Sequence, residues 1–229
     1  MLRVISCLVL SSVVLLLAAD ASWNNKEVSA WSEQDAVQVL TRSPWVAAAT
    51  VTLLPARSEA QARDGGRMGG GKAAGLETLQ PSILMGFGKA SKGFASTIEK
   101  RKTLTVRWES AQPIRSAEKK VGEDAPTWEG NYYAIAVYGV PGLEDRRTLP
   151  VELTKGAFLK RSGKKDVKPA RVEVILTDEK LATLVYLFPR SVEITRQDRQ
   201  MWFTAQIGQL FLEQEFDAGE MQLQGKLEL

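Results

Sequence analysis

Val172-Glu173-Val174-Ile175-Leu176 is followed by Thr177-Asp178-Glu179-Lys180 and then by Leu181-Ala182-Thr183-Leu184-Val185-Tyr186-Leu187-Phe188. Two runs of β-branched, aliphatic and aromatic residues flank a short polar turn, which predicts a β-hairpin. The second run is apolar at both parities apart from Thr183. It therefore belongs inside a sheet that is covered on both faces. Pro189 closes it, because proline cannot donate to a sheet ladder. Leu184 and Leu187 are expected in the core.

Upstream of this hairpin the chain is basic. Lys155 to Arg171 holds seven Lys and Arg residues against Asp166. Lys160, Arg161, Lys164, Lys165 and Lys168 form a candidate anion-binding surface, since clustered cations attract anionic partners. The plainer alternative is a solvated turn. The C-terminal stretch Gln209–Leu229 has the opposite balance, with Glu213, Glu215, Asp217, Glu220 and Glu228 against Lys226.

The pattern continues in both directions. Thr103–Trp108 alternates and reads as a strand with one wet face. Tyr132–Val140 reads as a strand ended by Pro141-Gly142. Val151–Lys160 is expected to be a strand through Val151, Leu153, Ala157 and Leu159. Met201–Ile207 and Leu210–Phe216 are joined by Gly208-Gln209. From Met221 to Leu229 apolar and polar residues alternate, as in an antiparallel sheet over a core. Two short helices are expected. Ser32 caps one, with Asp35 three residues on and Trp31 placed to staple the first turn. Ser43-Pro44 ends it. Ser110 is expected to cap the other, which runs through Ile114 and Ala117 toward Val121.

Residues 56–102 break this regularity. They are rich in Gly, Ala, Ser, Lys and Arg and carry no apolar period. Such a composition buries too little apolar surface to offset chain entropy, which predicts a flexible insertion. Ile83–Phe87 is the one apolar patch within it. About nine strands, short turns and no long βαβ unit predict a mainly β fold. The expected architecture is one antiparallel β-sandwich-like domain over 22–229, carrying that insertion.

The first 21 residues have the composition of a secretory signal. Arg3 precedes the apolar run Val4–Ala19, and Ala19-Asp20-Ala21 is a small-x-small cleavage site. A retained signal anchor and a lipoprotein are the alternatives. The run is short for a membrane span of about 20 residues, and Cys7 precedes most of it. Cleavage near Ala21 would place the protein in the periplasm or outside the cell, with no membrane-spanning segment left.

The 229-residue chain has a formal net charge of +3, no histidine and one cysteine, Cys7. Cleavage would leave no cysteine, so the fold must rest on its core rather than on disulfides. Lack of histidine excludes Ser-His and Cys-His nucleophile pairs and the common zinc sites. No dense Asp/Asn loop suggests calcium. Gly66–Ala73 nearly matches a phosphate-binding loop, but Ala73 stands where a magnesium-binding hydroxyl is required. Ser116-Ala117-Glu118-Lys119 and Ser162-Gly163-Lys164-Lys165 contain Ser-x-x-Lys without its companion motifs. Trp31, Trp45, Trp108, Trp128, Tyr132, Tyr133 and Trp202 could line a ligand groove, although such residues more often pack cores.

Trp31-Ser32-Glu33-Gln34-Asp35-Ala36 through Leu40 to Ser43-Pro44-Trp45, Val106–Ala111 and Gln224–Leu229 together resemble a family of uncharacterised secreted proteins of soil-type Gram-negative bacteria. The resemblance implies export and carries over no activity and no catalytic residue.

These observations favour an exported, non-enzymatic β-domain acting as a binding or envelope-associated module. No catalytic residue, metal ligand or cofactor is expected, and no nucleic-acid partner. An anionic surface or an envelope component is the expected class of partner. The alternative is a carbohydrate-active hydrolase using Asp or Glu carboxylates.

Overall fold

A computed structural model describes residues 22–54, 103–141, 143, 149–177 and 181–229. The expected signal segment, the insertion with its apolar patch, and the Gly66–Ala73 motif lie outside the described residues.

The hairpin forms as its sequence dictates. β5 (Arg171–Leu176) and β6 (Leu181–Pro189) pair antiparallel, with Val172 opposite Tyr186 and Val174 opposite Leu184. On its other side β6 pairs with β3 (Tyr132–Pro141). Leu184 and Leu187 are both fully buried, on opposite faces of the strand.

The other strands are β1 (Val46–Leu53), β2 (Thr103–Trp108), β4 (Ala157–Arg161), β7 (Met201–Ile207) and β8 (Leu210–Phe216). All eight form one antiparallel sheet in the order β4-β7-β8-β1-β2-β3-β6-β5. The sheet bends at β1. Its first half, Val46–Thr50, pairs with β2, and its second, Val51–Leu53, pairs with β8. The two halves of the sheet consequently face each other, as the layers of a sandwich do. Tyr186 of β6 meets Phe203 of β7 edge-on at 5.1 Å, and Trp108 of β2 meets Phe216 of β8 at 5.4 Å. The segment between β4 and β5 folds back on β4 through a bridge between Leu159 and Val167.

The structure has more helix than expected. Besides a short 3-10 turn at Val28–Ala30 there are α1 (Glu33–Arg42), α2 (Gln112–Val121) and α3 (Leu149–Lys155). The strand expected over Val151–Lys160 is thus a helix followed by β4. Val151 and Leu153 are two apart, as on one strand face, yet Leu153 is buried and Val151 is 61% exposed. α3 packs on β5 and β7, close to the seam between the outer strands.

α1 carries the expected capping box: Ser32 Oγ accepts from the Asp35 N–H, and the Asp35 carboxylate accepts from the Ser32 N–H. α2 is not capped by Ser110. Its N-cap is Ala111, with Pro113 in the first turn, and the Ser110 hydroxyl instead accepts from the Ala134 N–H at 3.0 Å. α1 and α2 pack together through Ala36, Val39, Ile114 and Ala117. The stretch Ser22–Ala30 reads as loose but is tied down. Trp23 is buried against Trp31 and Trp45, and Ser22 and Lys26 both bond the Asp35 carboxylate.

The C-terminal alternation does not make one long strand. β9 (Gln222–Leu223) and β10 (Lys226–Leu227) form a separate tight hairpin. Gln224 and Gly225 both have positive φ, 50° and 76°. That is the backbone of the primed turn that two-residue hairpins favour. Met221, Leu223 and Leu229 still reach the core.

Candidate functional site

Two features of β3 build the site. Its alternation sends Tyr133, Ile135 and Val137 into the main core and Ala134, Ala136 and Tyr138 to the outer face. The strand then bulges. Val137 lies opposite Leu184 and Val140 opposite Ala182, so Tyr138 and Gly139 together oppose Thr183. Gly139 takes the left-handed conformation at φ 77° that this irregularity requires. Bulges re-aim side chains, and here the affected residue is Tyr138.

On the neighbouring strand β2, Arg107 points to the same outer face. Its guanidinium stacks over the Tyr138 ring at 4.7 Å. Arg107 Nη1 lies 2.9 Å from Glu123 Oε1, 3.2 Å from Glu118 Oε1 and 3.9 Å from Glu109 Oε1. The Tyr138 hydroxyl donates to Glu109 Oε1 at 2.6 Å. Glu118 comes from α2, where Arg115 Nη1 meets its Oε2 at 3.2 Å. Gly122 ends that helix in the left-handed conformation and turns the chain so that Glu123 reaches Arg107.

The cluster is buried. Glu109 is 0% exposed, and Arg107 and Glu118 are almost as inaccessible. Burial pushes the Glu109 carboxyl well above the ordinary carboxylate range, and the neighbouring Glu118 carboxyl pushes the same way. The Arg107 charge and the Tyr138 bond only partly oppose this. Burial also raises the Tyr138 phenol, and the adjoining Glu109 carboxyl adds to the effect.

Tyr138 also faces a groove of about 620 Å³ on the outer surface. One wall is the segment Asp124–Thr127, and the other is formed by Glu173, Ile175, Leu176 and Thr177, with Tyr138 and Thr183 between them. The first wall hangs on the buried cluster. Glu123 pairs with Arg107, and Arg115 donates to the Pro126 carbonyl at 2.9 Å while stacking on Trp128. Ile175 and Leu176 are 37% and 54% exposed, unusual for large aliphatic residues in this fold. Glu173 pairs with Arg171 at 3.0 Å. Among the described residues no cation lies within salt-bridge distance of Asp124.

The basic segment is dispersed. Lys160 and Arg161 are successive strand residues and point to opposite faces. Arg161 donates to the Glu193 carbonyl at 2.9 Å and lies 3.7 Å from Asp198 Oδ1. Lys164 meets the same carboxylate at 2.6 Å. Burial would raise the Asp198 carboxyl, but the Lys164 ammonium and the Thr195 N–H and hydroxyl outweigh it, and its pKa is lowered. Lys168 lies over the Phe158 ring at 5.3 Å, and Lys165 is exposed. Two of the five candidate cations thus neutralise Asp198, and Lys160, Lys165 and Lys168 are left with no carboxylate partner among the described residues. Ser116 and Lys119 sit on α2, where Ser116 accepts from Gln112 at 3.4 Å.

Most of the aromatic residues singled out by sequence pack the core: Trp31, Trp45, Trp108 and Tyr133 are buried. Tyr138, which does line the groove, was not among them. The signal that could have found the cluster is Arg107, Glu109, Arg115, Glu118 and Glu123 within 17 residues. Its alternation in β2 instead reads as a wet face. Among the described residues no group of acidic residues could hold a metal ion, and no helix is long and apolar enough to cross a membrane.

No protein-family model, curated protein or solved structure matches the chain. That accords with a resemblance to proteins without assigned activity, and no residue role is carried over from a relative.

Proposed function

We propose that the chain is an exported, non-enzymatic binding module whose ligand lies in the groove between Asp124–Thr127 and Glu173–Thr177. The observation that carries the reading is the groove's chemistry. Exposed Ile175 and Leu176 lie beside Asp124, which has no cation partner among the described residues, and beside Glu173 on a floor that a β-bulge shapes. Its volume falls in the range of small-ligand sites, ~300–1,000 Å³. The groove suits a ligand that offers an aliphatic group to Ile175 and Leu176 and a cation to Asp124 and Glu173.

The test is a titration of isotope-labelled protein with a short amidated Leu-Lys-Leu peptide, followed by amide shifts. Shifts confined to 124–127, 138 and 173–177, weakened by Asp124→Asn, support the reading. An unchanged spectrum, or equal shifts from a Leu-Glu-Leu peptide, overturns it. Export rests on the composition of residues 1–21, and N-terminal sequencing of the protein recovered from a periplasmic fraction tests it. A start at Ser22 is expected. The hydrolase alternative would need carboxylates open to a sugar, and among the acidic residues described above those are Asp124 and Glu173. Turnover of a polysaccharide lost in Asp124→Asn or Glu173→Gln would replace the binding reading.

A further inference from the structure

We infer that Glu109 is held protonated in the folded protein and thereby keeps the 123–127 wall of the groove against the sheet. The groove's role in binding rests on the proposed function, but the proton does not.

Glu109 follows directly on β2: Arg107 of β2 lies 3.9 Å from it, Tyr138 of β3 donates to it, and Glu118 and Glu123 share Arg107 with it, with Arg115 bordering Glu118. Glu109 Oε1 accepts from Tyr138, but Oε2 is buried and has no donor. Arg107 does not supply one. Its Nη1 is closer to Glu123 and Glu118 than to Glu109, and its Nε is itself without a partner. A buried carboxylate with a single donor, next to a second carboxylate, is strongly disfavoured. A proton on Oε2 removes the charge that this orphan acceptor would otherwise leave uncompensated. It also balances the cluster, where Arg107 and Arg115 then face two negative charges instead of three. Loss of that proton would set Glu109 against Glu118. Glu118 would draw harder on Arg107, which is the same cation that holds Glu123 and the wall beyond it.

The chain's composition makes the test clean. It has no histidine, so between about pH 5.5 and 8 no ordinary side chain titrates. Glu109 holds a proton in the native state that it loses on unfolding. Stability is therefore greatest below its unfolded pKa and is lost as pH rises toward the folded one. Urea unfolding of the full chain should show the folding equilibrium constant falling with pH in this window, by up to about tenfold per pH unit. Glu109→Gln keeps the shape and is neutral at every pH, so its stability should be flat over the same window. Infrared spectra of the wild type at pH 7 should contain the C=O stretch of a protonated carboxylic acid, absent from Glu109→Gln. Amide shifts of 124–127 should move with pH in the wild type only. A wild type with no such band and a flat stability profile overturns the inference. If Glu109→Gln fails to fold, the band in the wild type decides alone. None of these readouts needs a ligand, so they stand or fall apart from the groove titration.

Discussion

The indole N–H of Trp45 donates to the backbone carbonyl of Glu228 at 2.7 Å, joining residues 183 apart in sequence. Trp45 is fully buried against Trp23 at the start of β1, and Glu228 lies just beyond β10. This bond is one of those that tie down the C-terminal hairpin, which shares no ladder with the main sheet; Arg190 and Arg196 also donate to the Leu229 and Gly225 carbonyls. Trp45→Phe removes the donor and part of the packing. It should cost ~1–3 kcal/mol, from a lost buried hydrogen bond of about 1 kcal/mol and a small cavity. Urea denaturation measures the total, and amide exchange at Leu223 and Leu227 should rise. Unchanged exchange in that hairpin would show that the anchor lies elsewhere.

Leu184→Ala should cost ~2–5 kcal/mol, because its fully buried side chain sits opposite Val137 and Val174 with no solvent to fill the gap. Leu176→Ala, at the exposed turn end of β5 in the same hairpin, should cost no more than about 0.5 kcal/mol. Comparable losses for both would contradict the burial that separates them.

Tyr186→Phe is expected to hold or raise stability. The Tyr186 ring packs on Phe203, but its hydroxyl is buried and has no partner among the described residues. Burial alone pushes that phenol up. Removing an unpaired buried hydroxyl should gain about 1 kcal/mol. A loss of that size in thermal or urea unfolding would show that the hydroxyl is hydrogen-bonded after all.

Asp35 contributes to the acid limb of stability. The Lys26 ammonium, with the Ser22 hydroxyl and the Ser32 N–H and hydroxyl, holds its carboxyl well below the usual range. A depressed carboxyl contributes stability that is present above its unfolded pKa of about 3.9 and is lost as pH falls below it. Asp35→Asn should reduce stability near neutrality and flatten its decline between about pH 4 and 2. Parallel acid limbs in the two proteins would rule this contribution out.

Arg161 and Lys165 separate structural from available cations. Arg161→Ala should cost ~1–3 kcal/mol, since it strips a donor from the Glu193 carbonyl and a charge from buried Asp198. Lys165→Ala should change stability by no more than about 0.5 kcal/mol. If an anionic surface is bound here, Lys165→Ala and Lys168→Ala should weaken binding to anionic vesicles, and added salt should weaken it further.

The main sheet was legible wherever one physical rule dominated. Val172–Phe188, Met201–Phe216 and Tyr132–Val140 are dense in β-branched and aromatic residues and are bounded by turn residues, so local pattern and tertiary context agree. Ser32 and Asp35 are a local device, and they formed as written. The misses arose where a period of two has two meanings. Val151 and Leu153 suit a strand face, but only contact with β5 and β7 decides that Leu153 is the buried member of a helix. Met221–Leu229 alternates without a break in polarity, while the positive φ of Gln224 and Gly225 cuts it into a hairpin.

Chain order alone therefore settled the class of fold, the covered strand at Leu181–Pro189 and the lack of histidine that makes its titration simple. Those properties depend on neighbours in sequence or on composition. The curl of the sheet, the bulge at Tyr138 and the meeting of Arg107, Glu109, Glu118 and Glu123 were decided only in three dimensions. Arg107 and Glu109 lie on a face that alternation marks as wet, and α2 covers it. A charge becomes buried through what packs over it, and no local pattern in β2 records that Glu118 and Glu123 will arrive from the helix and its turn.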